Sequence, residues 1–223
     1  MRRYPLIVAI DETSCDKALF SLASSISPIV SGFKVGIPTL ISCGLGFLKE
    51  LRSAANGAFL IADLKLADIG DVMVKTTSLV KDYVDAVIAH AFVGREGALD
   101  ALVDSIRKWD LKLILVASMS HAGSLEFYDA DLDRVLGLVR ELAPWGVVAP
   151  ATRPEVIKRV RIELDGVKIV SPGVGAQGAR PGDAICAGAD YEIIGRAILG
   201  SKDPLGAAVQ AGEAASRCQA QRL

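Results

Sequence analysis

Asp63 and Lys65 stand two residues apart in the apolar run Phe59-Leu60-Ile61-Ala62-Asp63-Leu64-Lys65. Side chains alternate across a strand, so Phe59, Ile61, Asp63 and Lys65 fall on one face and Leu60, Ala62 and Leu64 on the other. A carboxylate and an ammonium then point the same way. Lys34, in Phe33-Lys34-Val35-Gly36, and Asp68, just beyond the run, extend the pair to an alternating row. Opposite charges 4 Å apart attract by about 4 kcal/mol at an effective dielectric near 20. Such a row keeps Lys65 charged and ready to donate a proton, and sets Asp63 where it repels an incoming anion. The plainer alternative is an ion pair that only satisfies itself, but buried charge is rarely kept without use.

A second cluster is Pro172-Gly173-Val174-Gly175-Ala176-Gln177-Gly178, followed by Gly195-Arg196. Glycines let backbone N–H groups approach an anion, and an arginine fork suits a phosphate. A glycine-rich stretch alone is equally a flexible turn; the Gly-Arg pair that follows favours anion binding.

These residues need elements to hold them. Short apolar runs predict strands over Leu6–Ile10, Gly32–Gly36, Phe59–Leu64, Ala86–His90, Lys112–Ala117, Gly146–Ala149, Lys168–Ser171 and Tyr191–Ile194. Helical patterns fall near 15–27, 38–54, 71–82, 95–108, 131–143, 153–164, 181–187 and 204–217, clearest in Leu132, Val135, Leu136, Val139 and Leu142. Asp131 and the stretch Thr152-Arg153-Pro154-Glu155 look like helix starts. Eight strand–helix units without a linker predict one domain over residues 1–223, an α/β protein of the (β/α)8 TIM-barrel class. A doubly wound sheet is disfavoured, because Asp11-Glu12-Thr13 after the first strand is no nucleotide-binding glycine turn. Barrel active sites lie at the C-terminal strand ends. That is where Asp11, Lys34, Asp63, Lys65, His90, Ser118, Ser120, His121, Pro172 and Arg196 fall.

Composition removes other classes. The 223 residues carry 25 Lys and Arg against 26 Asp and Glu, a net charge of −1, so no basic excess points to nucleic acid. Mean hydropathy is high, +0.38, yet no apolar stretch approaches the ~20 residues of a membrane span. Many buried strands covered on both faces account for it. After Met1-Arg2-Arg3-Tyr4-Pro5 the apolar run Leu6 to Ile10 is too short for a signal peptide, so a cytoplasmic protein is expected. Cys15, Cys43, Cys186 and Cys218 form no C-x-x-C pair and read as buried free thiols in a reducing compartment. With only His90 and His121, no Cys/His cluster suggests zinc. His90 reads as a hydrogen-bonded group at a strand end, and Trp145 as cover for an outer seam. The single asparagine, Asn56, fits a hot habitat.

Five motifs in order resemble the orotidine 5′-phosphate decarboxylase family across essentially the whole chain. They are Phe33-Lys34-Val35-Gly36, Asp63-Leu64-Lys65-Leu66-Ala67-Asp68-Ile69, Met119-Ser120-His121, Pro172 through Gly178, and Ile194-Gly195-Arg196. The resemblance implies a cofactor-independent decarboxylase of pyrimidine biosynthesis with no metal. It implies Lys65 as the acid that protonates C6, Asp63 facing the substrate carboxylate, and Lys34 and Asp68 completing the charged row. Asp11 and Lys34 would contact the ribose and Ser120 the pyrimidine. Gln177 would bridge phosphate and base, with Pro172, Gly173, Val174, Gly175, Ala176 and Gly178 in the closing loop and Gly195 and Arg196 on the phosphate. A homodimer is implied, with Asp68 and Ile69 supplied across the interface. One departure is Val72, where the family often has threonine.

Two alternatives compete. Metal-dependent enzymes of pentulose or hexulose phosphates share D-x-K-x-x-D, but usually carry glutamate where this chain has Lys34, and an ammonium is the wrong charge for a cation site. A catalytically silent nucleotide sensor would tend to lose the reacting group, yet Asp63, Lys65 and Asp68 are all present.

Overall fold

The structure, a computed structural model, describes residues 3–220; Met1 and Arg2 of the N-terminal stretch lie outside it. Eight strands run β1 Tyr4–Ile10, β2 Val30–Gly36, β3 Phe59–Leu66, β4 Ala86–His90, β5 Lys112–Val116, β6 Gly146–Val148, β7 Lys168–Pro172 and β8 Tyr191–Ile194. They pair in chain order, all parallel, and β8 pairs with β1 to close the barrel. The helices are α1 Ala18–Ile26, α2 Ile37–Cys43, α3 Gly46–Ala54, α4 Gly70–Ser78, α5 Asp100–Lys108, α6 Leu132–Leu142, α7 Pro154–Glu163, α8 Asp183–Ala187, α9 Arg196–Leu199 and α10 Pro204–Ala220. Short helical turns at Ala91–Val93, Arg95–Leu99 and Ala122–Glu126 complete the loops. Among the described residues no helix is long and apolar enough to cross a membrane.

Local rules explain most of these elements. The five apolar positions of α6 are all buried against the sheet, as their spacing requires. α7 opens on Pro154, whose fixed φ suits a first helical turn. The expected 38–54 helix is broken into α2 and α3 at Gly44, which sits at φ +70°, a conformation that ends helices. Asp131 precedes α6 without capping it, and the Thr152 hydroxyl donates to the Ser120 carbonyl at 3.3 Å instead of capping α7.

The N-terminal end of the barrel is closed by rings. Trp145 stacks on Phe59 at 4.9 Å and on Tyr191 at 6.2 Å, and the Lys112 ammonium lies 5.9 Å from the centre of the Phe59 ring. This corrects the outer-seam reading of Trp145, which packs on the first residues of β3 and β8.

The cysteines need a second correction. Cys15 pairs with Cys43 and Cys186 with Cys218, at Cα separations of 5.4 and 4.9 Å, and none is left free. These distances lie within the range of disulfide geometry. Nor are the sulfurs' residues deep: Cys15 and Cys186 are exposed and Cys43 and Cys218 half-buried. The partners lie 28 and 32 residues apart, so no short-range motif announces them.

Candidate active site

The charged row forms at the C-terminal end of the strands. The Lys34 ammonium reaches Asp11 at 3.0 and 3.3 Å and Asp63 at 3.0 Å. The Lys65 ammonium meets both Asp63 oxygens at 2.7 Å. Side-chain exposure is 8% for Lys34 and 7% for Asp63, but 32% for Lys65 and 52% for Asp11, so the two ends of the row are the groups a ligand can reach. A Cβ on Gly36 would collide with the Asp11 carboxylate; glycine there makes room for the row. Burial opposes charge on both inner groups. For Lys34 the carboxylates of Asp63 and Asp11 outweigh it and hold the ammonium above its usual value. For Asp63 the ammonium groups of Lys34 and Lys65 outweigh it and hold the carboxyl below its usual value.

Lys65 arrives there by an unexpected route. The β3–β4 register moves from Ala62 opposite Val87 to Leu66 opposite Ala89, so extra residues of β3 bulge out between these pairs. Lys65 sits in the bulge at φ +44°. A left-handed non-glycine residue costs about 1–3 kcal/mol and is concentrated at functional sites. Simple alternation therefore places Asp63, whereas a strained bulge aims Lys65.

Asp68 does not join the row within its own chain. Its carboxylate accepts from the Ile69 N–H at 2.7 Å and lies outside the cavity of its own chain. The chain turns outward at Gly70, where a Cβ would lie 2.7 Å from Ala101 and 2.9 Å from the Ala98 carbonyl. This close packing of α4 carries Asp68, Ile69 and Val72 to the surface, with Ile69 and Val72 exposed. Within one chain the row is Asp11, Lys34, Asp63, Lys65.

The row opens into a cavity of about 540 Å³ whose apolar floor includes Ile88, Val116, Val148 and Ile193. Ser120, Pro172, Gly173, Val174, Ala176, Gln177, Gly195 and Arg196 line it too. Gly175 and Gly178 stand outside this wall because they build the loop's own turn: Gly175 donates to the Ala179 carbonyl at 2.8 Å and Gly178 to the Gly175 carbonyl at 3.0 Å.

Other contributors escaped the sequence reading. Glu12 and Met119 join the cavity wall. Beneath Ser120, Arg153 pairs with Asp129 at 3.2 Å, each side chain 13% exposed. Asp129 also accepts from Ser118 at 2.6 Å and Ser124 at 3.2 Å, and the Ser124 hydroxyl accepts from the Met119 N–H at 3.0 Å. This knot fixes the loop that carries Ser120. Its members come from two loops, β5–α6 and β6–α7, so no periodicity marks them. His90 has the expected strand-end role, its Nδ1 hydrogen-bonded with the Tyr128 hydroxyl. Burial, then the Lys65 charge, lowers its pKa to about 4, with Asp63 opposing, so His90 is neutral near pH 7.

Comparison with known proteins decides between the branches that share D-x-K-x-x-D. Residues 4–211 match the model of the Orotidine 5'-phosphate decarboxylase / HUMPS family. The chain belongs to this family. Within it, the chain is 48% identical to the orotidine 5′-phosphate decarboxylase of Aeropyrum pernix, over 96% of this chain and 89% of the relative. It is 42% identical to that of Thermococcus kodakarensis, over 93% of this chain and 95% of the relative. Among solved structures, the decarboxylase of Methanocaldococcus jannaschii complexed with inhibitor BMP superposes with a TM-score of 0.88, at 32% identity, covering 96% of this chain and 99% of that one. That of Metallosphaera sedula gives 0.86 at 38% identity, covering 98% and 100%. These identities assign the chain to the decarboxylase branch. Lys34 agrees, since it puts an ammonium where a cation-binding branch needs a carboxylate.

Proposed function

We propose that this enzyme converts orotidine 5′-phosphate to uridine 5′-phosphate in pyrimidine biosynthesis with Lys65 as the proton donor. The observation that carries the reading is Asp63 held between two ammonium groups, 3.0 Å from Lys34 and 2.7 Å from Lys65, at the edge of a cavity walled by Gly173 and Arg196. The substrate carboxylate enters beside Asp63 and is repelled by it. The bond from C6 to the carboxylate breaks, carbon dioxide leaves, and the electron pair left on C6 takes a proton from the Lys65 ammonium. Solvent then reprotonates Lys65. Asp11 and Lys34 hold the ribose, Ser120 the pyrimidine and Gln177 both base and phosphate. Gly195 and Arg196 grip the phosphate while the loop from Pro172 to Gly182 closes. Binding energy from the remote phosphate is thereby used at the reacting carbon. The inhibitor complex of the Methanocaldococcus jannaschii relative supports a nucleotide ligand here.

No step in this chemistry calls for a metal or organic cofactor. An absorbance assay of orotidine 5′-phosphate consumption in the presence of a chelator tests the reading. Turnover is expected and would exclude the metal-dependent branch; no consumption, with magnesium-dependent turnover of a pentulose or hexulose phosphate instead, would favour that branch, and tight binding without turnover would favour a sensor.

We further propose a cytoplasmic homodimer in which Asp68 and Ile69 complete the partner's site. Ile69, Val72 and Leu79 expose apolar side chains on this one segment, which suits burial by a second chain. Mixing Lys65→Ala with Asp68→Ala chains should restore activity, because hybrids regain one intact site. No recovery after proven subunit exchange would count against shared sites.

A further inference from the structure

Glu192 is fully buried, and none of the roles above uses it. It lies on β8 between Tyr191 and Ile193; Ile193 faces the cavity, so Glu192 points to the opposite side, toward the helices. There its carboxylate accepts from the Gly182 N–H with both oxygens at 2.9 Å and from the Ala184 N–H at 3.0 Å. Gly182 is at φ +96°, and a Cβ on it would lie 3.0 Å from the Ala214 carbonyl, so the backbone runs tight against α10 at this point. Four residues on, Cys186 is bonded to Cys218 of α10. The spot where loop 173–182 ends is therefore pinned by a buried carboxylate, by close packing and by a covalent bond. Its other end is already fixed, because Pro172 belongs to β7.

We infer that Glu192 is a positioning residue for phosphate capture, holding the C-terminal foot of the 173–182 loop through Gly182 and Ala184, with the Cys186–Cys218 disulfide as a second anchor. The inference rests on the reading of this loop as the phosphate grip. A loop anchored at both ends has less freedom to lose when it closes on a ligand, so more of the phosphate's binding energy reaches the reacting carbon. A foot left loose would draw on that energy first.

Glu192→Gln tests this with almost no change of volume: one acceptor oxygen becomes an NH2 donor facing the Gly182 N–H. Kinetics are compared on orotidine 5′-phosphate and on orotidine, which lacks the phosphate. The expected result is a KM for the phosphorylated substrate raised at least about fivefold, with kcat/KM for orotidine unchanged. The double variant Cys186→Ser/Cys218→Ser should show the same selective loss at smaller size, which covers the case of a Glu192 variant that fails to fold. Equal losses on both substrates, or no loss on either, would overturn the inference. Amide hydrogen exchange separates it from the functional reading. Residues 178–184 should exchange faster in Glu192→Gln whether or not the wild type decarboxylates, and unchanged exchange there defeats the inference by itself. Absence of turnover in the wild type defeats only the functional reading.

Discussion

At the N-terminal end of the strands Phe59, Trp145 and Tyr191 stack ring on ring; at the other end Asp11, Lys34, Asp63 and Lys65 alternate in charge. One strand serves both ends, since β3 begins with Phe59 and carries Asp63 and Lys65 toward its close. The closed end buries apolar surface and ties together β3, β8 and the start of β6, strands that are not neighbours in the barrel. The open end buries like and unlike charges together and keeps Lys65 in a left-handed bulge, both costs to stability. Stability and chemistry are thus separated along the barrel axis, as strand ends in this architecture allow.

The sharpest way to break that comparison is at Lys65. Lys65→Ala should lower kcat by at least about 10⁴-fold, since it removes both a proton donor and a positive charge beside the developing carbanion. Its thermal midpoint should barely move, because Asp63 keeps Lys34 as a partner. Near-normal turnover in the decarboxylation assay would sink the separation at its active end.

The mirror change is Phe59→Ala. It should cost about 3 kcal/mol in urea unfolding, the low end for a ring because this one is half-buried, and leave kcat within about twofold. A large fall in kcat with intact stability would show that the two ends are coupled.

A smaller effect should appear in the pH dependence of the row itself. Asp63 is held below its ordinary carboxyl value, so its stabilisation is complete above about pH 4 and lost as pH falls through the lowered value. Lys34 is held above its ordinary value, so its share is complete below about pH 10 and lost as pH rises through the raised value. The stability margin of the wild type over Lys34→Met should therefore be flat across neutral pH and shrink only at the extremes. A margin that changes steeply between pH 6 and pH 8 would place the controlling group elsewhere.

The least effect belongs to His90. Its folded value is lowered to about 4 from an ordinary 6.5, so the unfolded chain binds the proton first and stability is lost as pH falls across that window. His90→Phe should keep the ring contacts with Phe92 and Tyr128 and remove this slope in denaturation curves. The wild-type slope persisting in the variant would exclude His90 as its source.

Much of the open end is legible in the sequence. Lys34, Asp63, Lys65, Ser120, Gln177 and Arg196 all line one cavity, because each sits at or just past the end of a strand that its apolar run reveals. The closed end was less legible: Trp145 precedes its strand, and no periodicity says which rings it will meet. Asp11, read as a ribose contact, joins the row at its Lys34 end, while Asp68 stays outside the row of its own chain because the outward turn at Gly70 depends on packing against Ala98 and Ala101.

What the sequence by itself determined was the alternation of eight strands with helices and the clustering of polar residues at one end of them. Both follow from side-chain periodicity within a few residues, a local property. Tertiary structure alone decided the bulge that aims Lys65, the pairing of all four cysteines, the Asp129–Arg153 knot under Ser120 and the Glu192 carboxylate under the loop. Apart from the bulge, which needs β4 to define it, each joins residues brought together from different loops or elements. A chain's local pattern cannot rank such contacts; only the closure of the barrel, which fixes every strand against its neighbours, selects them.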